Sequence, residues 1–116
     1  MPSLFRTPVL LLLLTVGCLG GAPGNPEPGE QTRARIENRA SLDMDIYVRR
    51  NDGRVSRLGL APGGETTSFA LATSLTAGAA WIRFEARPVR ASGEPVLSEP
   101  FTVRMGEEIS WSVPPQ

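Results

Sequence analysis

Residues 43–60 read DMDIYVRRNDGRVSRLGL, and the fold class follows from how their side chains alternate. In DMDIYVR apolar and polar side chains alternate. Met44, Ile46 and Val48 fall on one side; Asp43, Asp45, Tyr47 and Arg49 fall on the other. A period of two over a short run is the pattern of a half-buried strand. Asn51-Asp52-Gly53 follows. Asp-Gly favours the positive φ angles of a tight hairpin turn, so the chain is expected to fold back. The return run places Leu58 and Leu60 inward, with Gly59 between them as the mark of a bulge.

The same grammar extends in both directions. Upstream, residues 32–38 (TRARIEN) alternate with Thr32, Ala34 and Ile36 on one side, and pairing with residues 43–49 as a hairpin is expected. Downstream, Ala61-Pro62-Gly63-Gly64 is a second turn, because proline presets φ and glycine accepts positive φ. Thr67, Phe69 and Leu71 then share a face. Residues 73–79 are small and polar without period, which suits a connection between sheets or a single helical turn. Residues 80–87 place Ile82, Phe84 and Ala86 inward and Trp81, Arg83, Glu85 and Arg87 outward. Val96-Leu97 is a brief strand, and Pro100 lies at an edge or a strand start because it cannot donate to a ladder. Phe101, Val103 and Met105 share one face, and Ile109, Trp111 and Val113 return inward after Gly106. About seven short strands with regular turn signals predict an all-β fold, a small antiparallel β-sandwich.

The first residues carry a different signal. Arg6 precedes an apolar run of eight residues, 9–16, closed by Gly17 and Cys18. A membrane-spanning helix needs about 20 apolar residues, so this run is too short. A positive start, a short apolar core and small residues after it are the pattern of a secretory signal. Leu14-Thr15-Val16-Gly17-Cys18 resembles the lipobox of bacterial lipoproteins, with a small residue directly before the cysteine and Thr15 where leucine is commonest. The resemblance implies cleavage before Cys18, a diacylglycerol on its thiol and an acyl chain on the new amino group. Since Leu19 is not aspartate, it also implies delivery to an outer membrane in a cell that has one. Two or more chains hold a protein firmly on a bilayer where one binds marginally. The expected organisation is a signal peptide over 1–17, a lipidated cysteine with a flexible, disordered linker over 18–31, and the β-sandwich over 32–114. The linker reading rests on the glycine and proline of LGGAPGNPEPGEQ. The expected location is extracytoplasmic, on the cell envelope. At fold level the strand spacing and the Pro-Gly turn are similar to immunoglobulin-like and transthyretin-like sandwiches.

Composition removes whole classes of chemistry. The chain has no histidine and no lysine, and Cys18 is its only cysteine. Ser-His-Asp and Ser-Lys nucleophile systems, and zinc sites built from histidine and cysteine, have no residues to use. No phosphate-cradling glycine motif occurs. Formal charge balances at zero, which gives no basic field for nucleic acid. Asp43 and Asp45 lie on one strand face, roughly 7 Å apart. Exposed neighbours on one strand cannot flank a substrate or raise a pKa by burial, so an enzyme is not expected, nor a cofactor or a metal site. The remaining candidates are Tyr47 and Trp81, with Arg49, Arg83 and Arg87 in the same outward registers. If their strands share a sheet they form an aromatic and guanidinium patch, suited to an envelope protein or a glycan partner. The competing reading is cross-strand packing beneath arginine stems. The function expected is a non-catalytic interaction or envelope-structural domain, or alternatively a carbohydrate- or peptidoglycan-binding module.

Overall fold

A computed structural model describes residues 31–90 and 92–116. The expectations for the signal peptide, Cys18 and the linker up to residue 30 lie outside the described residues. Seven strands and one helical turn follow in order: β1 (Arg33–Asn38), β2 (Met44–Arg50), β3 (Val55–Ala61), β4 (Thr66–Ala70), α1 (Thr73–Thr76), β5 (Ile82–Pro88), β6 (Val96–Leu97) and β7 (Glu108–Val113). They form two sheets, of order β4-β1-β7 and β3-β2-β5-β6. The all-β two-sheet architecture is therefore the one the alternation predicts. Within it one pair, β1 with β7, runs parallel.

The core lies between the sheets. Ile36 and Ala34 of β1, with Ile109, Trp111 and Val113 of β7, face Met44, Ile46 and Val48 of β2 and Ile82, Phe84 and Ala86 of β5. Phe84 is the largest fully buried side chain. Its ring stacks on Trp111 at 6.0 Å and tilts against Phe101 at 5.7 Å, which ties the two layers together.

Three local expectations are corrected. First, β1 and β2 do not pair. They lie in different sheets; β1 pairs with β4 and β7, and β2 pairs with β3 and β5. The cause is Asn38, a residue that looks like turn material. Its side chain is buried, donates from Nδ2 to Leu42 O (2.8 Å) and Ala61 O (2.9 Å), and accepts at Oδ1 from Ala40 N (3.0 Å). Those bonds turn the chain across the layers rather than back along its own sheet. The β3–β4 connection crosses at the same end, where Gly64 N donates to Asn38 O at 2.9 Å and to Ala40 O at 3.0 Å.

Second, Leu60 points outward and is 42% exposed. The register between β2 and β3 slips next to Ile46, so that Gly59 faces Ile46 and Arg57 faces Tyr47. The bulge expected at Gly59 is present, and the extra residue, Leu58, reverses the alternation after it. A side chain at Gly59 would meet Phe69 Cε1 at 2.6 Å, so glycine is what lets β4 close over β3.

Third, Met105 is 83% exposed, and the segment before it makes a single bridge, Phe101 to Ile82, instead of a hairpin with β7. Glu107 caps the turn by accepting from Arg104 N at 3.0 Å, and the main chain enters β7 alongside β1.

Candidate interaction face

β2 and β5 pair antiparallel at the centre of the four-stranded sheet, with Asp45 opposite Arg87, Tyr47 opposite Glu85 and Arg49 opposite Arg83. On the other side of β2, Arg57 stands opposite Tyr47 and Val55 opposite Arg49. All of these belong to the register that points away from the core. Tyr47, Arg49, Arg83 and Arg87 are thus brought onto one sheet face. Trp81 directly precedes β5, and its carbonyl accepts from Asn51 N at 3.2 Å.

The face is a lattice of charges built around Glu85. Alternation predicts an exposed Glu85, yet the residue is only 3% exposed. Two guanidinium groups cover it. Arg49 Nε donates to Oε1 at 2.5 Å, and Arg87 donates through Nε to Oε2 at 2.7 Å. No periodicity rule finds this residue; the signal would have been an acid on a central strand flanked by arginines in adjacent registers. Burial alone would raise the Glu85 pKa, but the hydrogen bonds from Arg87 and Arg49 outweigh it and hold the carboxyl below its ordinary value of 4.5. Glu85 in turn raises the Arg87 pKa by accepting its hydrogen bond.

A stability consequence follows. Because the folded pKa is lowered, Glu85 contributes fully above the unfolded carboxyl pKa, and that contribution is lost as pH falls through the folded one. Glu85→Gln is expected to cost about 2 kcal/mol at pH 7. This is below the 3–5 kcal/mol of a fully buried pair, because Arg49 and Arg87 can rehydrate. Urea melts at pH 7 and pH 3 should show the gap closing in acid. A gap independent of pH would contradict the role given to the ionised carboxylate.

Both aromatic rings are roofed by cations. The Arg87 guanidinium lies 4.1 Å from the centre of the Tyr47 ring, and that of Arg83 lies 5.5 Å from Trp81. Two further acids on or beside β2 have structural partners. Asp45 accepts from Arg57 at 2.6 Å, and Asp43 accepts from Gly63 N at 2.9 Å. Asp45 of β2 and Asp43, just before that strand, are therefore engaged in holding strands and corners. A cleft of about 240 Å³ is lined by Gln31, Thr32, Leu71, Ala72, Thr73, Thr76 and Met105, none of which is titratable. Among the described residues, no group of three or more His, Cys, Asp or Glu could hold a metal ion, and no helix is long and apolar enough to cross a membrane.

No protein-family model matches the chain. No curated protein matches it. Among solved structures, the NMR structure of the protein from Eubacterium rectale is similar at 17% identity, with a TM-score of 0.49, over 78% of this chain and 85% of that one.

Proposed function

We propose that this chain is a lipoprotein of the cell envelope, held to a membrane through Cys18, whose β-sandwich is a non-catalytic interaction domain. We further read the sandwich as immunoglobulin-like or transthyretin-like. The observation that carries the interaction reading is the outer face of the β3-β2-β5-β6 sheet. It gathers Tyr47, Trp81 and four arginines, and it is flanked by exposed Val55, Leu60 and Leu97. Aromatic and arginine side chains are the types enriched at binding hot spots. The anchoring reading is supported by the leader sequence, which ends in the only cysteine.

The glycan alternative has less support from this geometry. A sugar stacks on an open aromatic face, and here guanidinium groups occupy the rings of Tyr47 and Trp81.

Two experiments test the proposal. Metabolic labelling with a fatty acid should mark the wild-type chain, and Cys18→Ser should abolish both the label and membrane fractionation. An unchanged distribution would refute the anchor. Proximity labelling from the tethered full chain in its own envelope should return a reproducible protein neighbour. Labelling no different from that of an unrelated anchored domain would refute the interaction role.

A further inference from the structure

The outer face of the four-stranded sheet carries more cations than its own carboxylates can pair. Arg57 takes Asp45, while Arg49 and Arg87 share Glu85. Arg83 is left over. Among the described residues no carboxylate lies within ion-pair distance of it, and its Nε is shielded from solvent without a hydrogen-bond acceptor. A buried donor without an acceptor is destabilising. The register adds to that cost. Arg83 stands directly opposite Arg49 in the β2–β5 ladder, and like charges so placed destabilise a sheet.

The neighbouring positions show what would offset the like-charge opposition. One register along, Glu85 sits between Arg87 and Arg49, one oxygen turned to each Nε. Arg49 uses only its Nε in that contact, whereas Arg87 also engages Nη2, at 3.4 Å. The terminal nitrogens of Arg49 therefore remain for a second acceptor. Arg87, Glu85 and Arg49 thus alternate in charge, whereas Arg49 and Arg83 share one rung of the ladder, and among the described residues no carboxylate pairs with Arg83. A carboxylate seated over both guanidinium groups would offset them, with the Trp81 ring as one wall and exposed Val55, opposite Arg49, as an apolar flank.

We infer that Arg49 and Arg83 form a receptor for a side-chain carboxylate of an acidic peptide segment on a partner protein. This rests on reading the face as the interaction surface, and it names the chemistry of the partner. Guanidinium forks match a planar carboxylate with two parallel hydrogen bonds, and the face already holds one carboxylate in this manner. The roofed aromatic rings favour an anionic peptide over a neutral sugar. The apolar flank favours a glutamate or aspartate with an apolar neighbour.

The test is a titration of the full chain, labelled with ¹⁵N-arginine and followed by its Nε–H resonances. The probes are acetyl-Glu-Leu-Glu-amide, the same peptide with glutamine for glutamate, inorganic phosphate, and an oligomer of N-acetylglucosamine. The glutamate peptide should shift Arg83 and Arg49 saturably and leave Arg54, in the β2–β3 loop, unmoved. The glutamine peptide and the sugar should have no effect. Arg83→Gln should weaken the peptide at least tenfold while leaving the melting temperature unchanged or raised, since the like-charge opposition is gone. The inference is overturned if phosphate acts as strongly as the peptide, if the sugar competes, or if Arg83 does not respond. It is also overturned if Arg83→Gln binds like the wild type. In each of these cases a neighbour still captured by proximity labelling would leave the wider interaction reading standing; loss of that neighbour as well would remove both.

Discussion

Phe84→Ala is expected to leave the domain largely unfolded at 37 °C. The Phe84 ring is fully buried and bridges the layers, lying against Trp111 of β7 and Phe101 of the segment after β6. Deleting a buried phenylalanine ring typically costs about 3–5 kcal/mol, part from lost transfer energy and part from the cavity left behind. Aromatic pairing adds about 0.5–1.5 kcal/mol beyond burial. A domain of this size holds net stability near the lower end of about 5–15 kcal/mol, with no disulfide available to constrain the unfolded chain. Urea unfolding followed by tryptophan fluorescence would show the loss directly, since Trp111 reports on the same contact. A cost below 1 kcal/mol would mean that the layers are held elsewhere.

Asn38→Asp is the second large effect, and it changes almost no volume. The amide Nδ2 donates to two buried carbonyls, Leu42 O and Ala61 O. A carboxylate there turns an acceptor toward two acceptors and leaves both carbonyls unpaired. Unsatisfied buried groups of this kind cost about 1–3 kcal/mol each, so the total at pH 7 should be about 3–5 kcal/mol. The effect should depend on pH in a defined direction. Burial next to carbonyl oxygens raises the pKa of the new Asp above its unfolded value of about 3.9. The deficit is therefore smallest below that value and grows as pH rises through the folded pKa. Recovery in acid stays partial, because one O–H replaces two N–H donors. A variant as stable as the wild type at pH 7 would contradict the assignment of Asn38 as the pin of both crossing corners.

These two residues also show what the sequence makes legible. Phe84 is readable because it sits in phase with Ile82 and Ala86, and phase alone assigns it to the core. The inward sets of β1, β2, β5 and β7 follow from the same argument, and so does the two-layer architecture. Asn38 is not readable, since a buried amide and a turn amide look alike until the long-range partner, Ala61, is known. The parallel β1–β7 pair is hidden for a related reason. Alternation fixes which way a strand faces but says nothing about which strand lies beside it or in which direction. On the outer face of the four-stranded sheet, the outward register places Tyr47, Arg49, Arg83 and Arg87 together once β2 and β5 pair. The shielding of Glu85 and the isolation of Arg83 depend on which arginine reaches which carboxylate. Pairing of that kind is set by side-chain conformers and leaves no periodic trace.

We propose that the outward face of β2 and β5 serves recognition rather than packing. One protein tests it: the full chain carrying Tyr47→Ser and Trp81→Ser together, expressed in its own envelope. Its melting temperature and its proximity-labelled neighbours are measured on the same preparation. If the face serves recognition, the melting temperature stays within about 5 °C of wild type, since about 1 kcal/mol shifts a small domain by that much, and the protein neighbour is lost. A neighbour retained at full strength while the melting temperature collapses would show instead that the rings hold the sheet, and that recognition lies elsewhere.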